Sequence, residues 1–241
     1  MTRPRILLVG LVGLLICGAA AFALMPRERA SEPALRVTAD KPALMILTTL
    51  PLVFPEEFTL QGAGSKALTA LETRYRVVPI GATDAASLKQ GRLLLLAHPL
   101  AQTADALVEL DRWVRDGGRV LLLADPRLEW PSERPLGDKL RPPPAFADTG
   151  LLKHWGLTLD TPDESGPQER TLAGQQILTA SSGRLAGTCE IEAGGFVARC
   201  GIGKGQAVIV ADADFLNVED LDGPTESNLD ALLVELAALE R

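Results

Sequence analysis

Short, unbroken apolar runs separated by amphipathic stretches make up the chain from residue 43 onward. They occupy residues 43–49, 76–80, 92–97, 119–124 and 206–211. Continuous runs of this length, without alternation, are typical of strands that are buried on both faces of a parallel sheet. We therefore predict that these five segments are strands of one sheet.

Helical patterns lie between these runs. Residues 65–74 begin with Ser65, a favourable N-cap, and a second helix is predicted to begin after Thr103 and to end at Gly117. The last helix, about 226–240, carries leucines at i, i+3, i+4 and i+7 spacing. Alternating strands and helices imply right-handed crossovers, so the predicted fold class is α/β, with a doubly wound, three-layer parallel sheet.

Residues 126–149 interrupt this order. They contain six prolines, which predicts an extended excursion without regular secondary structure. Alternating segments at 156–159, 171–179, 185–192 and 196–200 follow it. They predict a small antiparallel β extension before the final strand and helix return to the sheet.

The N-terminal residues carry one long apolar segment. Residues 6–25 have no charged side chain, and a helix of about 20 apolar residues matches the hydrocarbon core of a membrane. We predict a transmembrane signal anchor at 1–25, a juxtamembrane linker rich in charge and proline at 26–42, and one domain at 43–241. Cys17 is interpreted as a small apolar residue of the anchor.

A cleaved signal peptide remains an alternative, because Ala21 and Ala23 form the small-x-small pattern that signal peptidase accepts. Both interpretations place the domain outside the cytoplasm. We expect a single-pass protein of the inner (cytoplasmic) membrane with an extracytoplasmic, periplasmic domain.

Charge and cysteine content narrow the class of partners. The 24 Lys and Arg residues stand against 31 Asp and Glu residues, a net charge of −7, so the chain lacks the basic footprint that nucleic acid requires. Cys189 and Cys200 flank Gly194 and Gly195, and a two-residue Gly-Gly hairpin would place the two cysteines opposite each other. A disulfide between them is predicted in an oxidising compartment, and two unpaired thiols are the alternative.

Polar residues follow the predicted strands where ligands bind in open parallel sheets, outside the carboxyl ends. These residues are Thr48, Thr49, His98, Asp125, Asp212 and Asp214. His98 with Asp125 or Asp212 would suit general base catalysis, but no Gly-x-Ser-x-Gly or Gly-x-Cys-x-Gly nucleophile elbow exists in the chain. The alternative is that Asp125 and Asp212 stabilise the turns that follow their strands.

Neither a metal nor a cofactor is predicted. The acidic stretch 212–223 lacks the EF-hand spacing of oxygen ligands and glycine, so we interpret it as a solvated loop. His98 and His154 are isolated and show no zinc-ligand spacing, and His154 is expected to be exposed at the end of a short helix. The glycines before Ser65 lack the earlier glycine of a phosphate loop.

Several motifs, taken together and in order, resemble a known family. They are LLLAHP at 94–99, GGRVLLLADP at 117–126, LLKHWGL at 151–157 and GKGQAVIVADADFL at 203–216, with Asn228 at the start of the last helix. Over about residues 43–240 the chain resembles the auxiliary domain of gliding-motility-type ABC transport systems and the related DUF4350 domain.

The resemblance implies the fold of class I glutamine amidotransferases without their nucleophile, a flavodoxin-like arrangement. It also implies a non-catalytic, extracytoplasmic domain beside an ABC transporter ATPase and permease. As ligand-binding residues it points to Asp125, Asp212, Asp214 and Asn228, and the rim analysis adds His98.

Function is therefore predicted as an accessory or ligand-sensing component of an ABC-type transport or envelope system. Two alternatives stay open. One is a periplasmic hydrolase that uses the His98 and aspartate rim, and the other is a small-molecule-binding module.

Overall fold

The computed structural model describes residues 41–54 and 64–241, which belong to one compact unit, Lys41–Arg241. No helix within these residues has the length and apolar character needed to cross a membrane. The predicted anchor at 1–25, Cys17 and the linker up to residue 40 lie outside the described residues.

The described part of the chain has a mixed α/β architecture. Its helices are α1 (Lys66–Arg74), α2 (Ala85–Leu88), α3 (Ala104–Arg115), α4 (Leu151–His154) and α5 (Asn228–Leu239). Its first strands are β1 (Ala43–Thr48), β2 (Arg76–Pro79), β3 (Leu93–Ala97), β4 (Arg119–Leu123) and β5 (Leu157–Asp160). The later strands are β6 (Pro167–Leu172), β7 (Gln175–Ala180), β8 (Arg184–Gly187), β9 (Glu190–Glu192), β10 (Val197–Ile202) and β11 (Gly205–Val210).

Seven strands form the main sheet, in the order β2-β1-β3-β4-β11-β10-β9. The five predicted runs, β1 to β4 and β11, pair in parallel, whereas β10 and β9 join the edge in antiparallel orientation. Two further antiparallel pairs, β5 with β8 and β6 with β7, form separate two-stranded sheets.

Alternate side chains of each central strand enter different cores. In β3, for example, Leu95 packs with residues of α1 and α5, whereas Leu94 and Leu96 pack with residues of α2, α3 and α4. All five β3 residues are buried as a result. Helices on both faces explain why these strands read as unbroken apolar runs.

Helix ends follow the sequence signals. The Ser65 hydroxyl accepts a hydrogen bond from the Leu68 N–H, and the Thr103 hydroxyl accepts one from the Ala106 N–H. After α3, Gly117 has φ +111°, a conformation that favours glycine. The predicted caps at Ser65 and Thr103 are confirmed.

The predicted antiparallel extension was only partly correct. The segment 171–179 contains a tight turn at Ala173 and Gly174, both with positive φ, which separates β6 from β7. The segment 185–192 is divided between β8 and β9, and the segment 196–200 belongs to the main sheet as β10. These long-range pairings decide the strand boundaries, and local alternation does not show them.

Residues 124–150 contain neither helix nor strand, as the proline content predicted. Backbone hydrogen bonds fix the ends of this excursion, from the Leu128 N–H to the Pro144 carbonyl and from the Phe146 N–H to the Asp125 carbonyl. The segment therefore returns across the carboxyl edge of the sheet, where the polar rim lies.

Candidate functional site

Three aspartates meet where β4 and β11 end. Asp125, Asp212 and Asp214, here called the acidic triad, each contribute a carboxylate oxygen, and these oxygens lie within 4.8 Å of one another. The exposed fractions of the three residues are 0, 0 and 2%. The neighbouring positions of β4 and β11 in the sheet bring Asp125 next to two residues that are almost 90 positions away in sequence.

Asp125 ties two loops together. Its Oδ1 accepts a hydrogen bond from the Arg127 N–H at 2.8 Å, and its Oδ2 accepts one from the Ala213 N–H at 3.0 Å. Burial raises the pKa of Asp125 to about 6, against the lowering effect of these N–H groups. The turn-stabilising alternative therefore describes this residue well.

Asp212 uses only one of its two oxygens. Its Oδ1 accepts hydrogen bonds from the Thr179 hydroxyl and from the Phe215 N–H, whereas Oδ2 is buried and has no hydrogen-bond partner in the part of the chain that the structure describes. Burial first, and then the charges of Asp125 and Asp214, raise the pKa of Asp212 well above its usual value. A lone buried carboxylate oxygen needs a proton, a water molecule or an ion.

Asp214 connects the triad to the excursion. Its Oδ2 accepts a hydrogen bond from the Glu129 N–H at 2.9 Å, and the Glu129 side chain accepts one from the Ser181 hydroxyl. Burial, strengthened by the charge of Asp125, raises the pKa of Asp214 to about 8. The expectation of a solvated loop was wrong for Asp212 and Asp214, because their strand end is covered by the excursion and β7.

A cavity of about 280 Å³ borders the triad at Asp214. Its wall includes four carboxylate side chains, those of Glu129, Asp214, Asp220 and Asp222, together with the amide of Asn217. The acidic lining favours positive charge.

His98 lies at the end of β3 but does not join the triad. It is completely buried, its backbone φ is +46°, and its Nε2 lies 2.8 Å from the Pro143 carbonyl oxygen, to which the ring N–H donates. Nδ1 has no hydrogen-bond partner within residues 41–54 and 64–241, and burial lowers the pKa of the imidazole. The general-base hypothesis paired His98 with Asp125 or Asp212. The structure instead pairs the imidazole with the Pro143 carbonyl oxygen of the proline-rich excursion.

Asn228 is also fully engaged. Its Oδ1 accepts a hydrogen bond from the Leu178 N–H at 3.0 Å, and its Nδ2 donates to the carbonyl oxygens of Leu178 and Phe215, both at 2.8 Å. The side chain is completely buried. It joins the start of α5 to β7 and to the turn that carries Asp214.

A second cavity, of about 270 Å³, lies at the carboxyl ends of β1 and β2 and reaches Leu100 after β3. Its lining includes Thr48 and Thr49 and the basic residues Arg134, Lys139 and Arg141 of the excursion, here called the basic wall. The strand order 2-1-3-4 changes direction between β1 and β3, the usual crevice for ligands in such sheets. Sequence reasoning missed these basic residues, although they are three of the four positively charged residues of the proline-rich stretch.

The remaining sequence candidates lie elsewhere. Cys189 and Cys200 form a disulfide. The register in which β9 and β10 pair, continued to these positions, places the two cysteines opposite each other. This register is the predicted one, but a 3-10 turn at Ala193–Gly195 replaces the expected two-residue hairpin. His154 ends α4 and its side chain is 56% exposed, as expected. It lies beside Asp111.

Comparison with known proteins identifies similar folds. No protein-family model matches the chain, and no curated protein matches it. A cytoplasmic protein from Salmonella typhimurium LT2 is similar over 82% of this chain and 99% of its own, with a TM-score of 0.53 and 12% identity. A β-galactosidase from Rahnella sp. R3 is similar over 83% of this chain and 31% of its own, with a TM-score of 0.50 and 12% identity.

A putative ThuA-like protein from Bacteroides uniformis aligns over 84% of this chain and 93% of its own, with a TM-score of 0.42 and 10% identity. The chain spans only about a third of the length of the glycosidases it resembles. At these identities the likeness concerns the fold alone.

Proposed function

We propose that this chain is a membrane-anchored, non-catalytic accessory or ligand-sensing component of an ABC-type transport or envelope system. In this proposal residues 1–25 are a single transmembrane anchor in the inner membrane. Residues 43–241 are an extracytoplasmic, doubly wound three-layer domain of the glutamine amidotransferase-like or flavodoxin-like kind. The parallel order β2-β1-β3-β4-β11 with helices on both faces supports that fold assignment.

The proposal rests on the conformation and the hydrogen bonding of His98 at the end of β3. Hydrolases with a nucleophile elbow carry their nucleophile on a strained residue directly after a central strand. Here that position is His98, whose buried imidazole is hydrogen-bonded to the Pro143 carbonyl oxygen. The neighbouring carboxylates of Asp125 and Asp212 accept hydrogen bonds from backbone or hydroxyl groups of the protein. Polar groups engaged in this way hold the loops at the carboxyl edge of the sheet in place. This arrangement suits the binding of a ligand or partner better than catalytic turnover.

The cavity at the ends of β1 and β2 favours the ligand-sensing form of the proposal. Three basic residues, Arg134, Lys139 and Arg141, and two threonine residues line its space of about 270 Å³. Positive side chains with hydroxyl groups suit a small anionic ligand. The same cavity supports the second candidate function, a small-molecule-binding module that acts without a transporter.

Affinity isolation of the tagged full-length chain from gently solubilised membranes tests the accessory role. A matched bait carries residues 1–42 fused to an unrelated domain, which controls for contacts made through the anchor region. We expect an ABC ATPase and its permease with the full chain and not with the control bait. Identical sets from the two baits would contradict the accessory role.

Enzyme assays test the non-catalytic part separately. We expect no hydrolysis of ATP or amide substrates by the purified full chain. Hydrolysis that disappears in His98→Ala would establish the hydrolase alternative instead. The variant distinguishes this chain's own activity from a contaminant.

A further inference from the structure

We propose that the acidic triad is a binding site for one hard divalent cation, Ca²⁺ or Mg²⁺, held by Asp125, Asp212 and Asp214. The site joins the strand ends of β4 and β11, and it is independent of the accessory role proposed above.

The unpartnered oxygen of Asp212 is the observation that points to a ligand. Its Oδ1 accepts hydrogen bonds from the Thr179 hydroxyl and the Phe215 N–H, whereas Oδ2 is fully buried and receives no hydrogen bond from the described residues. Buried polar atoms in native proteins almost always have a partner, and an ion is one of the few that can supply it here. A cation bound at Asp212 Oδ2 would supply the partner that this oxygen lacks among the described residues.

Among the described residues, none of the ion pairs includes Asp125, Asp212 or Asp214. Three carboxylates buried together without a cation would repel one another in a medium of low dielectric. A divalent ion would neutralise most of this charge.

The geometry fits an ion that prefers oxygen. One oxygen from each triad residue lies within 4.8 Å of the others. Ligands bound at the roughly 2.3–2.6 Å typical of Ca²⁺ are separated by up to about 5 Å across the ion. Mg²⁺ requires a tighter arrangement, so Ca²⁺ is expected to bind more strongly.

A cavity lies beside the site. The acid-lined cavity of about 280 Å³ has Asp214 in its wall, with Glu129, Asp220 and Asp222 around it. These carboxylates raise the local concentration of cations. The cavity also leaves room for water ligands of the ion.

The sequence predicted no metal because it was compared with a contiguous EF-hand loop. The triad instead combines Asp125, which follows β4, with Asp212 and Asp214, which follow β11. Such a site appears only when the two strands are known to be neighbours.

Calorimetric titration of the EDTA-treated full-length chain in detergent tests the proposal, with CaCl₂ and MgCl₂ as separate probes. We expect saturable binding of one ion per chain and a rise in the thermal unfolding midpoint as its concentration increases. In Asp214→Asn, which keeps the shape of the side chain, the dissociation constant should rise at least about tenfold. Asp163→Asn, a change at an exposed position, should bind as the wild type does.

Two results would overturn the site. One is no saturable binding of either ion to the folded wild type at millimolar concentration, which would mean that protons neutralise the triad. The other is unchanged binding in Asp214→Asn, which would place the ion elsewhere on the acidic surface. Should far-UV circular dichroism show that this variant is unfolded, Asp125→Asn takes its place, with the same expected loss.

Discussion

Replacing Asn228 distinguishes a ligand-binding residue from a structural one. The resemblance points to this residue for ligand binding, but its side chain amide makes three hydrogen bonds to backbone groups of Leu178 and Phe215. In Asn228→Ala one N–H and two carbonyl groups would lose these partners inside the core. Leaving a buried polar group unpaired costs about 1–3 kcal/mol, and because these groups are affected together we expect the free energy of unfolding to fall by at least about 3 kcal/mol.

Asn228→Asp sharpens the argument because it changes one atom. The carboxylate keeps an acceptor for the Leu178 N–H but places its second oxygen against two carbonyl oxygens, where the amide donated. Repulsion and burial of charge should make Asn228→Asp at least as destabilising as Asn228→Ala.

Urea unfolding of the full-length chain, followed by tryptophan fluorescence, measures both variants. Asn217→Ala is the matched control, since the buried Asn217 makes one side-chain hydrogen bond, to Asp220, where Asn228 makes three. We expect less than about 1.5 kcal/mol for this control. An Asn228→Ala protein as stable as Asn217→Ala would refute the structural role and return Asn228 to the list of ligand-binding residues.

Three further predictions concern stability. Arg199 forms a two-pronged ion pair with Glu235, which is 1% exposed, so Arg199→Met should cost about 3–5 kcal/mol in urea unfolding and Arg199→Met/Glu235→Leu much less; equal losses would contradict this. Burial lowers the pKa of His98, so its neutral form contributes stability above the unfolded pKa of about 6.5 that is lost as pH falls through the lower folded pKa. The stability difference between wild type and His98→Gln should therefore shrink from pH 7.5 to 5, and a constant difference would argue against it. Reduction of Cys189–Cys200, which are 11 residues apart, should lower unfolding stability by about 2–3 kcal/mol in the wild type, and a similar effect of reductant on Cys189→Ala/Cys200→Ala would exclude this disulfide as its cause.

The parallel strands could be predicted from the sequence because burial on both faces leaves a local signal. The apolar run at 92–97 became β3 at Leu93–Ala97, and the run at 206–211 became β11 at Gly205–Val210. Helix α2 was missed, since a single turn capped by Asp84 has no periodicity to detect.

The rim residues were also predictable, but their grouping was not. Asp125, Asp212 and His98 all follow predicted strands, and a list of strand ends does not say which strands are neighbours. The structure places β4 beside β11, which brings the aspartates together, while the Pro143 carbonyl takes the His98 imidazole. Strand order and the path of an irregular segment depend on tertiary packing, which local patterns do not encode.

The excursion links the two halves of the carboxyl edge. Its first residues are held by the triad, through the Arg127 N–H on Asp125 and the Glu129 N–H on Asp214. Its later residues, including Arg141, form the basic wall of the cavity beside β1. One irregular segment therefore takes part both in the hydrogen bonds of the triad and in the basic lining of the cavity beside β1.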